Sequence, residues 1–157
     1  MSAVTELIAK YEAAPGILRG AVVGMTREQL IARPVAGKWS TIECVAHIAD
    51  FELILADRIR RIAALEKPLL LAADENEFVK RLGYHDRDLE QELKLIDGVR
   101  AATGRMLRNL PAEAFQRQGV HSLKGLITLE QAVTMAANHI ASHLLHIMDK
   151  KKALGIA

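Results

Sequence analysis

The sequence has one cysteine, Cys44, so no disulfide within the chain can staple the fold. At 157 residues it needs none, because a single domain of this length buries roughly 70% of its unfolded surface. The lone thiol suits a reducing cytoplasm, which is the expected location. Aromatic residues are scarce at 4%, and no strand-like alternation is visible, while abundant Ala, Leu and Ile favour helix. No apolar run approaches about 18 residues, so no transmembrane span is expected. The opening MSAVTELIAKYEAAPG carries acidic residues and no long apolar core, so no signal peptide is expected either. Neither sign of charge dominates: 21 Lys and Arg against 19 Asp and Glu leave a formal +2, with the basic residues scattered. Nucleic acid and membrane are therefore not the expected partners.

What is present is helical periodicity with punctuation. Apolar spacing predicts a first helix over about 5–23, with Pro15 and Gly16 as a possible kink. The stretch MTREQLIARPVAGKWS holds a short helical signal after Thr26 and then Pro34 and Gly37, and reads as a connector. Ser40 and Glu43 form a capping box that starts a second helix, running until Pro68 stops it. At 1.5 Å per residue that helix is a rod of about 36 Å.

A mixed segment follows, with a short helix around 75–82, and then a third helix over about 87–109 whose straightness Gly98 and Gly104 put in question. PAEAFQRQGVHSLKGLI reads as another connector. Thr128 and Gln131 repeat the capping box, and a fourth helix runs to about Lys152, where Lys150, Lys151 and Lys152 complement the negative end of its dipole. The expected architecture is all-α: one domain over residues 1–157, an antiparallel-type four-helix bundle.

Half of the six histidines fall in AANHIASHLLHIMDKKK. His139 and His143 are four residues apart, about 40° around a helix, so both imidazoles can face a common point. Alone, the pair reads more simply as polar residues at a helix border. His47, well inside the second helix, changes the weighing: bundles build metal sites from facing helices, and three imidazoles would leave coordination positions open for water or substrate.

Two stretches, GKWSTIECVAHIADFELILADRIRRI and GLITLEQAVTMAANHIASHLLHI, resemble the signature regions of the DinB/YfiT-like metal-binding superfamily. The shared features are Trp39 and Ser40 before a long helix, His47, Asp50, Glu52 and Arg58 within it, and Gly125 and Thr128 before the helix with His139 and His143. The resemblance implies a four-helix bundle that holds a divalent metal, zinc or nickel, through His47, His139 and His143. It also implies a homodimer, and in some relatives a transferase or isomerase reaction that uses a low-molecular-weight bacterial thiol.

The function expected is metal-dependent activation of a thiol or water for transfer to a small electrophile. A metal-dependent hydrolase and a non-catalytic metal- or ligand-binding dimeric bundle are the alternatives. Asp50, one turn after His47, could orient a ligand imidazole or form a helix-surface ion pair. His146 lies roughly 10 Å along the axis from His139, too far to share one ion, and reads as a supporting or packing residue. Cys44 reads as a small core residue and Trp39 as a staple over the helix start. His85 and His121 fall in connectors and are expected to be exposed.

Overall fold

The computed structural model describes residues 2–156. Each long helix opens where a short polar side chain accepts the amide three residues on. Ser2 caps α1 (Ala3–Val22), Ser40 caps α3 (Thr41–Ala64), Asp88 caps α5 (Leu89–Arg108) and Thr128 caps α6 (Leu129–Ala153). Both expected capping boxes are complete, with Glu43 and Gln131 returning bonds to the cap amides, each cap being worth about 1 kcal/mol. A third box, Thr26 with Gln29, opens the short α2 (Arg27–Ile31) inside the expected connector. Among the described residues no helix is long and apolar enough to cross a membrane.

The four long helices form the bundle, but not in the simple antiparallel order expected. Cys44 lies beside Lys150 and Glu52 beside His139, so α3 and α6 run antiparallel. Arg19 pairs with Glu90 and Glu12 with Arg108, so α1 and α5 do too. By contrast, Lys10 meets Asn138 and Lys151 meets Ala21, which makes α1 and α6 parallel. Glu52 meets Arg100 and Arg60 meets Thr103, which makes α3 and α5 parallel. Two successive bundle helices that run the same way need a crossover as long as the bundle. Residues 65–88 supply it and carry β1 (Leu69–Leu70) and the short α4 (Glu75–Arg81), which packs on α3.

A second correction concerns strands. The connector after α5 folds as a 3₁₀ turn and a hairpin, β2 (Gln118–His121) with β3 (Gly125–Thr128), and β1 adds in parallel to β2. Gly125, at φ 72°, takes the left-handed turn that closes the hairpin. Gly119 lets β2 approach closely: a Cβ there would lie 2.9 Å from side-chain atoms of Ile62 and Leu70. These strands are too short to show a periodicity. The second long helix also ends at Ala64, before Pro68, where Lys67 turns the chain with φ 41°.

Pro15 does not break α1, which runs unbroken through it. The bundle core lies in two apolar clusters, one around Tyr11, Ile62 and Val133 and the other around Leu18, Ile48 and Ile140. Each fully buried Ile or Leu there contributes about 1.5–3 kcal/mol. At mid-bundle sits Arg100, 1% exposed, which touches all three other long helices. Its guanidinium donates to the Tyr11 carbonyl of α1, the Ala136 carbonyl of α6 and Glu52 Oε1 of α3, at 2.7, 2.7 and 2.6 Å.

Candidate metal centre

The cap at Ser40 fixes the start of α3 and so the depth of His47, whose side chain is fully buried. His139 and His143 come from successive turns of α6 and are half-buried. Because α3 and α6 are neighbours, the three rings meet. The Nε2 atoms of His47 and His139 are 3.1 Å apart, and one nitrogen from each of the three lies within 4.8 Å of the others. Ring centroids are 4.6–5.1 Å apart.

Burial, helped by His143 and His139, pushes His47 down to about 3. His143 is pushed down to about 4 by burial, then by His139, His146 and Lys150. Both are neutral at pH 7, the form that offers a lone pair to a metal. The trio satisfies itself only in part: one N–H···N bond serves the His47 and His139 pair, while the Nδ1 atoms of all three rings have no hydrogen-bond partner among the described residues. The three ring nitrogens that converge within 4.8 Å, one from each imidazole, are a donor set that fits a divalent cation.

The surroundings are aromatic and acidic. Trp39 stacks on His143 at 6.5 Å and 14°, and its ring centre is 5.1 Å from that of His47, so it walls the imidazoles as well as preceding the helix start. Phe51 packs on His47 with ring centres 4.3 Å apart. At the N-terminus of α4, Glu75 places Oε2 at 3.8 Å from His47 Nε2.

Two carboxylates that follow His47 on α3, three and five residues on, take different roles. Asp50 gives both oxygens to Arg87, at 2.7 and 3.0 Å, and so forms an ion pair. The carboxylate beside an imidazole is Glu52, whose Oε1 is 4.0 Å from His139 Nδ1 and whose Oε2 has no partner among the described residues.

His146 is exposed at the rim, with its ring 6.2 Å from that of His143. Cys44 is buried and free. The Arg58 guanidinium donates to the Leu71 carbonyl. His85 is half-buried, and His121, expected to be exposed, is only 6% exposed. The reason for the burial of His121 is local: its Nδ1 accepts the amides of Leu123 and Lys124 and so ties the hairpin turn.

Glu75 and Arg100 were not singled out from the sequence, Glu52 entered only as a feature shared with the family, and Lys150 only as a charge at the helix end. For Arg100 and Glu52 a signal existed, since both stand in apolar stripes: Leu93, Ile96, Arg100, Thr103, Leu107 on α5 and Val45, Ile48, Glu52, Ala56, Ile59 on α3. Lys150, expected to complement the dipole at the helix end, turns inward; it is seven residues after His143 and shares its face. Nothing in the sequence pattern marks Glu75.

Residues 10–147 match the sequence profile of the DinB superfamily. A relative from Geobacillus thermodenitrificans, named "Putative metal-dependent hydrolase", is 28% identical over 156 residues, covering 97% of this chain and 86% of its own. The Bacillus subtilis protein "Putative metal-dependent hydrolase YfiT" is 28% identical over 145 residues, covering 92% and 82%. Its solved structure, described as having "an unusual four-helix bundle topology", superposes with a TM-score of 0.92 at 26% identity, over 100% of this chain and 91% of that one. The crystal structure of a mycothiol-dependent maleylpyruvate isomerase has the same fold at a TM-score of 0.74 and 11% identity, covering 93% of this chain and 61% of that one.

Proposed function

Because the chain belongs to the DinB superfamily, we propose that it is a metal-dependent enzyme that holds one divalent ion, zinc or nickel, through His47, His139 and His143 and activates a low-molecular-weight thiol or water for attack on a small electrophile. The observation that carries this reading is the meeting of three imidazoles from two helices within 4.8 Å, two of them held neutral by burial. When bound, such an ion keeps its positive charge, because neutral ligands do not cancel it, and it lowers the pKa of a thiol or water beside it.

The chain's own residues supply the rest. Glu75, with Oε2 3.8 Å from His47 Nε2, is placed to take the proton of the nucleophile, and its exposed position lets it pass that proton to solvent. Glu52, fixed by Arg100, stands 4.0 Å from His139 Nδ1, beyond hydrogen-bond distance; it is the carboxylate that would take that Nδ1 proton when the ring closes on an ion, which would set the ring's tautomer and raise its basicity. Asp50, held by Arg87, instead ties the segment before α5 to α3. Trp39 and Phe51 keep bulk water from His47.

Thiol transfer is the first reading. Hydrolysis is the second, favoured by a carboxylate base beside the trio and by the names of the relatives at 28% identity. The test is the rate of thiol conjugation to a panel of small electrophiles with metal-loaded and metal-free chain. A metal-dependent gain that His143→Ala abolishes supports transfer. Ester or amide hydrolysis without thiol dependence moves the reading to a hydrolase, and neither activity moves it to a non-catalytic metal- or ligand-binding bundle. A homodimer and a cytoplasmic location belong to the same reading; the free, buried Cys44 fits the latter. Light scattering that reports a monomer at every concentration removes the dimer.

A further inference from the structure

Lys150 is left unexplained by the metal centre. It lies two turns beyond His143 on the same face of α6 and is only 2% exposed. Its Nζ donates to Cys44 Sγ at 3.4 Å and to the His146 carbonyl at 3.1 Å. Neither partner brings a negative charge. Burial pushes the Cys44 thiol up from its ordinary value against the weaker opposing pull of Lys150, so the thiol stays protonated at neutral pH, and a carbonyl is neutral.

Among the described residues no carboxylate lies within ion-pair distance of Nζ: Glu43, Asp50 and Glu52 serve Arg33, Arg87 and Arg100, and Glu75, on the cavity that Lys150 lines, stands beside His47 instead. The contrast with Arg100 is direct: the other fully buried cation is given Glu52 at 2.6 Å, as a buried charge requires. An ammonium has three N–H donors and two are used. Lys150 lines a cavity of about 240 Å³ together with Trp39, Glu75, His143 and His146. One unpaired cation is thus buried in the wall of the cavity that opens beside the histidine trio.

We propose that Lys150 anchors a carboxylate carried by the small-molecule substrate, seating it beside Trp39 and His143 with its reactive end toward the histidine trio. The proposal rests on the reading of that trio as the reaction centre and names the substrate class for it. The cavity is smaller than the 300–1,000 Å³ usual for ligand pockets, which suits a compact anion. Lys150 is the buried ammonium of this cavity, and the exposed Lys38 on the same lining adds to its pull on a carboxylate. Glu75, on the same cavity, repels a carboxylate from the end next to His47, and so sets the orientation. The carboxylate belongs either to the thiol or to the electrophile.

Trp39 is the only tryptophan and lines the cavity, so its emission reports binding there. The full chain, metal-free and zinc-loaded, is titrated with propionate, propionamide, 3-mercaptopropionate and 2-mercaptoethanol. Metal-free chain is expected to bind propionate at least tenfold more tightly than the isosteric, uncharged propionamide. Lys150→Met should remove that preference, and Lys150→Arg should retain most of it. On zinc-loaded chain, a carboxylate carried by the thiol predicts that 3-mercaptopropionate binds at least tenfold tighter than 2-mercaptoethanol, with the gap closed by Lys150→Met. A carboxylate carried by the electrophile predicts that both thiols bind alike and that propionate binds beside 2-mercaptoethanol. Equal binding of propionate and propionamide to the wild-type chain, or unchanged propionate affinity in a folded Lys150→Met variant, overturns the proposal. The metal-free comparison needs neither metal nor turnover, so it stands apart from any failure of the proposed reaction, and the propionamide arm needs no variant to fold.

Discussion

Arg100 donates a 2.7 Å hydrogen bond to the carbonyl of Tyr11, the acceptor that the amide of residue 15 would occupy in an ordinary helix and that Pro15 leaves free. Proline lacks the N–H and crowds the carbonyl four residues back, which is why it breaks most helices. Here the guanidinium of a neighbouring helix takes the amide's place, so α1 continues. The same guanidinium holds Glu52, and Glu52 reaches toward His139. Bundle geometry and the candidate site thus share one residue.

This compensation predicts a coupling. Arg100→Met strands the Tyr11 carbonyl only while residue 15 is proline. In a Pro15→Ala background the restored amide can serve it, so Arg100→Met should cost about 1 kcal/mol less there than in the wild-type chain. Urea unfolding of the four members of the cycle measures the difference; additive costs would refute the compensation.

Glu52→Gln should act twice. It removes the only carboxylate on a buried guanidinium, a change that costs about 3–5 kcal/mol when one partner of a buried pair is lost. It should also weaken metal binding by about 10–100-fold, the usual effect of losing a group that orients a ligand imidazole. Asp50→Asn, whose carboxylate faces Arg87, should leave metal affinity within about twofold. Competition with a chromophoric chelator reads both affinities, and a larger loss for Asp50→Asn reverses the assignment.

Metal-free chain should lose stability as pH falls from about 6.5 toward 4. His47 and His143 titrate at about 3 and about 4 in the folded chain and near their ordinary value of about 6.5 when unfolded. In that window the unfolded state therefore binds more protons, so stability rises with pH and is lost as pH drops. His47→Gln and His143→Gln should each flatten the slope between about pH 6.5 and 5, above the range of ordinary carboxylates. Unfolding midpoints at a series of pH values check this, and an unchanged slope counts against burial as the cause.

Glu75→Gln should lower turnover at neutral pH by about 10²–10⁴-fold, while metal content stays at the wild-type level. Loss of metal from this variant would make Glu75 a ligand and not a base.

Much of this could be read from the sequence. Ser40 with Glu43 and Thr128 with Gln131 located the starts of the two helices that carry the histidines, because a capping box is a local signal. His47, His139 and His143, placed on facing helices by the pattern, do lie together. The parallel course of α3 and α5 was not legible, since apolar periodicity says which face of a helix is buried and nothing about its direction. The hairpin of β2 and β3 was missed because four-residue strands show no clear period, and His121 was misplaced with it. Lys150 and Glu75 depend on tertiary approach: one is a lysine at a helix end that turns inward, the other a surface glutamate that α4 swings over His47.

The central claim is that His47, His139 and His143 hold a single divalent ion. Metal content per chain by plasma mass spectrometry, after purification and dialysis, measures it for the wild-type chain and for His143→Ala and His146→Ala. The wild type should carry about one ion per chain, His143→Ala should lose nearly all of it and His146→Ala, whose ring stands at the rim, should change little. Metal retained by His143→Ala, or lost equally from His146→Ala, would contradict it.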